Sequence, residues 1–303
     1  MEDNLSANDL RIVLLVMSCN DQVISSCVDA ITSTLGLTTQ RHNIKYLTYT
    51  GGHQVQFVFN DNVWCTAKDN LDNSFLKTQE ALSLVKKAYD PDYVIRVNSS
   101  TYANLELLCN LLQSEHKHNS EKLIYNGDVS DLNGRIQLRG NSFILGREII
   151  DRIIEFDISE VPSDIENLHD DVVISYIVQK EIGLDKTVKE IVRSEKIGVV
   201  PMIYLNDLSR LGHPMSVIDE MLVPERMRKD FHLYKKEKID ELIKRSVFIA
   251  YRKNYVKDRY QEIGECYKIR DVLKDFTTDE IPELVKELDV WMYREKRFEK
   301  IRM

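Results

Sequence analysis

A continuous apolar run, Ile12-Val13-Leu14-Leu15-Val16-Met17, stops abruptly on Ser18-Cys19-Asn20-Asp21. The run shows no period-2 alternation, so a strand formed here leaves no face for water. Strands buried on both faces belong to parallel sheets covered by helices on either side. The pattern recurs at Tyr93-Val94-Ile95-Arg96-Val97, which stops on Asn98-Ser99-Ser100-Thr101. Between these runs lie a second strand candidate, Ile44 to Thr50, closed by Gly51-Gly52, and an alternating stretch from Val55 to Phe59.

Helical periodicity is clearest over residues 71–89. Leu71, Phe75, Thr78, Leu82, Val85 and Tyr89 recur at steps of four and three, which places them on one face. Asp72, Asn73 and Ser74 offer N-cap side chains. Pro91 ends the helix, because it disfavours the helical conformation at Asp90. Helices are also expected over 25–35, over 103–112 behind a cap at Ser99, Ser100 or Thr101, and over 147–155 and 171–181. Strands are expected over 123–126, 136–138 and 198–203. This alternation predicts an α/β fold with a mostly parallel sheet flanked by helices.

The texture changes near Ser216, where the chain becomes charged and helical in pattern. Ile239, Ile243, Val247 and Tyr251 define one apolar stripe. Thr277 with Glu280 makes a capping box, and Leu284, Leu288, Trp291 and Phe298 continue at helical spacing. The predicted division is an α/β domain over 1–215 and a helical C-terminal extension over 216–303.

The chain of 303 residues carries 41 basic and 49 acidic side chains, a net charge of −8, which argues against nucleic acid as a partner. No apolar run is long enough to span a membrane, so no transmembrane segment is expected. The five cysteines are odd in number and contain no Cys-x-x-Cys pair. Reduced thiols and a cytoplasmic location are the expectation.

Ligands of open α/β sheets gather beyond the carboxyl ends of the strands. The turn Ser18-Cys19-Asn20-Asp21 offers backbone groups to a base or ribose, or is an ordinary strand-to-helix turn. Arg96, inside an apolar strand, needs a carboxylate or phosphate partner. Asn98 and Ser100 can coordinate a hard cation weakly, hydrogen-bond a diphosphate, or cap the next helix. Asp170 and Asp171 open a helix, either as favourable charge at its N-terminus or as a general base. His213, in Gly212-His213-Pro214, is a metal-ligand candidate or a surface residue, whereas His116 and His118 read as solvated loop residues.

Taken in order, these segments resemble glycosyltransferases of the GT-A fold, with the β-1,3-galactosyltransferase and Fringe type and related bacterial and viral enzymes as the nearest pattern. The resemblance rests on an apolar strand ending in Ser18-Cys19-Asn20 and on Lys77-Thr78 ahead of Tyr93-Val94-Ile95-Arg96. It continues through Tyr102 and Asn104, then Gly140-Asn141-Ser142 ahead of Phe143 to Arg147, and closes on Asp170-Asp171-Val172. It implies transfer of a sugar from a nucleotide diphosphate sugar, with UDP favoured, to a glycan hydroxyl. Ser18, Cys19, Asn20, Asp69, Lys77, Arg96, Asn98, Ser99 and Ser100 would then hold the donor. Gly140, Asn141 and Ser142 would face the acceptor. Asp171, with Asp170 second, would be the base of an inverting reaction. The resemblance also implies a divalent cation, Mn²⁺ or Mg²⁺, yet the family's Asp-x-Asp is replaced by Asn98-Ser99-Ser100. Either the diphosphate and another ligand hold the metal, or Arg96 and Lys77 take its role, or activity is lost. The helical extension would shape the acceptor site or form a homo-oligomer contact.

Overall fold

The computed structural model describes residues 10–39, 42–118, 122–127, 129–132, 135–163, 165, 168–187, 190–191, 196–200, 202–205 and 246–251. The strands, in chain order, begin with β1 (Ile12–Met17), β2 (Ile44–Thr50), β3 (Phe57–Phe59), β4 (Asn62–Trp64) and β5 (Tyr93–Asn98). Next come β6 (Thr101–Ala103), β7 (Ile124–Asn126), β8 (Val129–Leu132), β9 (Arg135–Leu138) and β10 (Ser142–Gly146). The last are β11 (Ile197–Val199), β12 (Met202–Leu205) and β13 (Phe248–Tyr251). The α-helices are α1 (Gln22–Ile31), α2 (Leu37–Thr39), α3 (Ser74–Tyr89), α4 (Leu105–His118), α5 (Arg147–Glu155) and α6 (Asp170–Ile182).

Eight strands make one sheet in the order β11-β7-β10-β5-β1-β2-β4-β3. The centre is parallel, with Ile12 opposite both Ile44 and Tyr93, and Met17 opposite Tyr49 and Asn98. That register brings the turns after β1, β2 and β5 to one edge. β10 runs antiparallel between β5 and β7, and β3 is an antiparallel edge strand on β4. The mostly parallel α/β sheet expected from the apolar runs is present. β6, β13 and β12 form a small second sheet, and β8 with β9 forms a ribbon.

Both faces of the main sheet are covered, as the unbroken apolar runs require. Ile12, Leu14, Val16, Ile95 and Val97 pack with Cys27 and Ile31 of α1 and Leu105, Leu108 and Leu112 of α4. The alternate residues Val13, Leu15 and Val94 pack with α3, α5 and α6 through Phe75, Leu82, Ile149, Ile153, Val173 and Ile177. Each fully buried aliphatic side chain contributes about 1.5–3 kcal/mol relative to exposure. Arg96 falls in register with this second set, so its side chain enters the α3/α6 face.

Several local expectations are corrected. Leu71 is exposed and lies in a 3₁₀ turn, Leu71–Asn73, whose cap is Asn70, accepting from the Asn73 N–H at 3.0 Å. The cap ahead of α4 is Asn104, which accepts from the Leu107 N–H at 3.3 Å, while Thr101 belongs to β6. His116 lies in α4 with its Nδ1 3.2 Å from the Tyr93 hydroxyl. The expected helical stripe through Val247 and Tyr251 is a strand there: β13 pairs with β12 and β6, and Val247 to Ala250 are core residues. The continuous run Val247-Phe248-Ile249-Ala250 has the β-branched and aromatic character of a buried strand, which outweighs a four-residue recurrence. The rest of 216–303, His213 and the other apolar positions of the extension lie outside the described residues. No helix of the described residues is long and apolar enough to cross a membrane.

Candidate functional site

At the carboxyl edge of β1 and β5 opens a cavity of about 340 Å³, within the range of small-ligand sites. Its walls include Ser18 and Cys19 after β1, Asn98, Ser99 and Ser100 at the end of β5, and Asp69 with Lys77. Its floor is Arg96, and the opposite wall is Gly140 with His169, Asp170 and Asp171 at the start of α6. The chain brings these residues together from segments up to about 150 residues apart, because three parallel strands share one edge.

Arg96 is 1% exposed and answers the demand for a partner with several. Its guanidinium pairs with the Asp170 carboxylate and donates to the Gly140 carbonyl. Its Nε donates to the Tyr49 hydroxyl at 3.1 Å, and it stacks over Phe143 at 5.5 Å. Tyr49 continues to Thr78 at 2.9 Å, and Thr78 donates to Asp170 at 3.4 Å, which closes the loop. Burial works against the Arg96 charge, but Asp170 and Tyr49 outweigh it and its pKa is raised. Burial, opposed by Arg96, pushes the Asp170 carboxyl up. It also pushes the Tyr49 phenol up to about 12, so that hydroxyl stays protonated. Ser74, read from the sequence as a cap candidate, accepts through its Oγ from the Asp170 N–H at 3.0 Å. Tyr49 has no sequence signal beyond its place in the strand, and Thr78 none for this role beyond its neighbour Lys77.

Lys77 makes the second buried pair. Its Nζ lies 2.7 Å from Asp69 Oδ1 and 2.9 Å from the Ser18 carbonyl. Asp69 also accepts from the Asn20 N–H at 2.7 Å, and so ties the 65–70 loop to the turn after β1. Asn20 itself is exposed and lies outside the cavity lining. Asp21 opens α1 as its cap, with Oδ1 accepting from the Ile24 N–H at 3.1 Å. Burial, reinforced by Asp69, pushes the Cys19 thiol up.

Asp171 differs from the other two acids of the cavity: no ion pair reaches it among the described residues. Its Oδ1 accepts from the Val172 N–H at 3.0 Å. A Cβ on Gly140 would lie 3.0 Å from Asp171 Cβ and 3.1 Å from its Oδ2, so any larger residue would press this carboxylate aside by a few tenths of an ångström. Asn141 and Ser142 do not join the lining. The Asn141 carbonyl accepts from the Asn98 N–H at 2.9 Å and from Thr101, which holds the two turns together. Ser142, 1% exposed at the start of β10, has a buried hydroxyl with no partner among the described residues.

The cation implied by the GT-A resemblance does not fit these donors. Among the described residues no three His, Cys, Asp or Glu side chains gather as ligands. The turn after β5 supplies neutral oxygens only, and two of the three carboxylates already hold a cationic side chain.

No known family profile matches the sequence, and no curated protein matches it. Solved structures do. One is a glycosyltransferase involved in the glycosylation of the major capsid of PBCV-1, with 8% identity over 83% of this chain and 99% of that chain, TM-score 0.44. Another is the galactosyltransferase LgtC in complex with donor and acceptor sugar analogs, with 8% identity over 91% and 99%, TM-score 0.38. A third is the 2-C-methyl-D-erythritol 4-phosphate cytidylyltransferase of Francisella tularensis, with 8% identity over 62% and 89%, TM-score 0.33. The class of the molecule, a mixed α/β sheet with a ligand-sized cavity at its carboxyl edge, stands on its own strand order and register.

Proposed function

We propose that the chain is a glycosyltransferase that moves a sugar from a nucleotide diphosphate sugar, a UDP-sugar first among them, to an acceptor hydroxyl. One observation carries the reading: a carboxylate without a cationic partner, Asp171, lies against Gly140 on the wall of a ligand-sized cavity at the carboxyl ends of parallel strands. Asp69 and Asp170 are each committed to a buried cation and are poorly placed to take a proton. Asp171 accepts the proton of the acceptor hydroxyl. The acceptor oxygen then bonds to the anomeric carbon as the bond to the phosphate oxygen breaks, and the nucleotide diphosphate leaves. A single displacement of this kind inverts the anomeric centre. The turns at 18–19 and 98–100 flank the donor.

A thermal-shift screen of nucleotide sugars tests the binding half, since a ligand of the native state raises the melting temperature. With the donor so found, Asp171→Asn should lose about 10²- to 10⁴-fold in turnover, the usual worth of a general base. Wild-type turnover in that variant removes Asp171 from the reaction. Donor binding with no transfer to any acceptor, in the wild type, makes the chain a nucleotide-sugar-binding domain instead. The neutral 98–100 turn is the specific observation favouring that second reading.

A further inference from the structure

The Asp171 carboxylate accepts one hydrogen bond among the described residues, from the Val172 N–H of its own helix. Its place in the cavity is therefore set by how the first turn of α6 sits against Gly140. The Gly140 side of that contact is pinned to the main sheet, because four successive carbonyls are taken up. The Asn126 amide of β7 donates to Arg139 at 3.1 Å and to Ser142 at 2.6 Å. Arg96 donates to Gly140, and the Asn98 N–H and Thr101 hydroxyl donate to Asn141. The Asp171 side is held by Ser175, one turn further along α6 and 3% exposed. Its hydroxyl donates to the Asp171 carbonyl and accepts from the Leu138 N–H at 2.9 Å. Leu138 ends β9, two residues before Gly140. One hydroxyl thus ties the backbone of the acid to the strand that leads into the glycine beside it. Gln179, the next turn on, accepts from the Ile136 N–H at 3.4 Å. A helical turn rises about 5.4 Å and two strand residues about 6.7 Å, so side chains four apart on α6 meet alternate N–H groups of β9. Ser175 stands in a run with buried Val173, Ile174, Ile177 and Val178, where alanine would favour the helix more. A mid-helix serine that bonds back to the carbonyl four residues earlier adds little to the helix itself, so its value lies in the bond to β9.

We infer that Ser175 is a positioning residue for Asp171: by tying the Asp171 carbonyl to the Leu138 N–H, it sets the distance between the carboxylate and the Gly140 turn. That Asp171 acts as a base rests on the glycosyltransferase reading; the tether between α6 and β9 does not.

The test uses the full chain with UDP-sugars as donors and reads turnover as UDP released. Ser175→Ala should keep a single thermal transition and an unchanged donor KM. Its kcat should fall about 3- to 10-fold, because a shift well under 1 Å costs less than the 10²-fold of a full ångström. That loss should vanish when the same substitution is made in Asp171→Asn, since a residue acting through the acid then has nothing to position. A loss of equal size in both backgrounds makes Ser175 a structural residue and overturns the assignment. Gln179→Met is the control, because it breaks the neighbouring bond to β9 without touching Asp171; an equal fall in kcat there overturns the assignment as well. Should Ser175→Ala not fold, Ser175→Cys, similar in size but a weak donor, is read in the same cycle. Wild-type turnover in Asp171→Asn, or no turnover of any UDP-sugar by the wild type, fails the glycosyltransferase reading and takes the positioning role with it. Hydrogen exchange at the Leu138 amide, expected to quicken in Ser175→Ala, still decides the tether, and unchanged exchange overturns it.

Discussion

At the scale of single residues, Arg96 decides how the cavity is built. It is a charge in the middle of a sheet, and it is tolerated because three elements and a turn bring groups to it: Tyr49 of β2, Asp170 of α6, the Phe143 ring of β10 and the Gly140 carbonyl. Breaking a buried pair on one side leaves the other charge uncompensated, at a cost of about 3–5 kcal/mol. Arg96→Met should therefore lower stability by about that amount in chemical denaturation. Adding Asp170→Leu should recover much of it, because no buried charge then remains. A double-mutant cycle with no coupling between the two positions would contradict the pair. Gly140 acts through space instead of charge. Gly140→Ala should displace the Asp171 carboxylate while leaving the melting temperature nearly unchanged. The shift is a few tenths of an ångström. A full misplacement of about 1 Å costs about 10²-fold in rate, so a smaller loss should appear in kcat with the donor and acceptor in hand.

At the scale of elements, the amino ends of the central strands are fastened by a charge cluster away from the cavity. Arg147, first residue of α5, reaches Asp90 at 2.6 Å and Asp92 at 2.8 Å. Arg11, just ahead of β1, reaches Asp90 at 2.8 Å and gives its N–H to Asp92 at 2.9 Å. Asp90 closes α3 in the left-handed conformation (φ 44°), the position where Pro91 stops the helix. The cluster joins α3, β5, α5 and the entry to β1. Arg147 and then Arg11 hold the Asp90 carboxyl below its ordinary range. At Asp92 burial pushes the other way, and Arg11 and Arg147 together overcome it. Carboxyls depressed in the folded state stabilise it above the unfolded value, about 4, and lose that contribution as pH falls through the folded value. Arg147→Gln should therefore lower the melting temperature at neutral pH, and the deficit should shrink as pH is taken below about 4. The partly exposed setting keeps the effect modest and salt-sensitive. A deficit that is constant with pH would mean that Arg147 acts by packing alone.

At the scale of the whole molecule, the described C-terminal residues are part of the core. β13 lies between β12 and β6, and Val247, Phe248, Ile249 and Ala250 are nearly or fully buried with α4 and β1 in one cluster. A division at 215 would cut through this second sheet. A chain ending at residue 215 should melt well below the full chain or fail to express in soluble form, since each large apolar side chain removed from that cluster is worth about 1.5–3 kcal/mol. An unchanged, cooperative transition for the shortened chain would support 1–215 as a free-standing unit.

The runs at Ile12 to Met17 and Tyr93 to Val97 determined by themselves that central strands would be buried on both faces, and α3 was legible from its spacing and its stop at Pro91. These are local properties: side-chain period follows directly from backbone geometry. The sequence also marked Arg96 as a charge in need of a partner, and Asp170 with Asp171 as a pair at a helix start. The resemblance ranked Asp171 ahead of Asp170, but spacing and residue type alone did not separate the two acids. Only the tertiary structure did that, by giving Asp170 to Arg96 and leaving Asp171 against Gly140. It likewise made Ser142 a buried strand residue of the antiparallel β10 and turned 248–251 from a helix into a strand. Those outcomes depend on which segments become neighbours across a sheet, and pairing between residues far apart in the chain is set by the packing of the whole molecule.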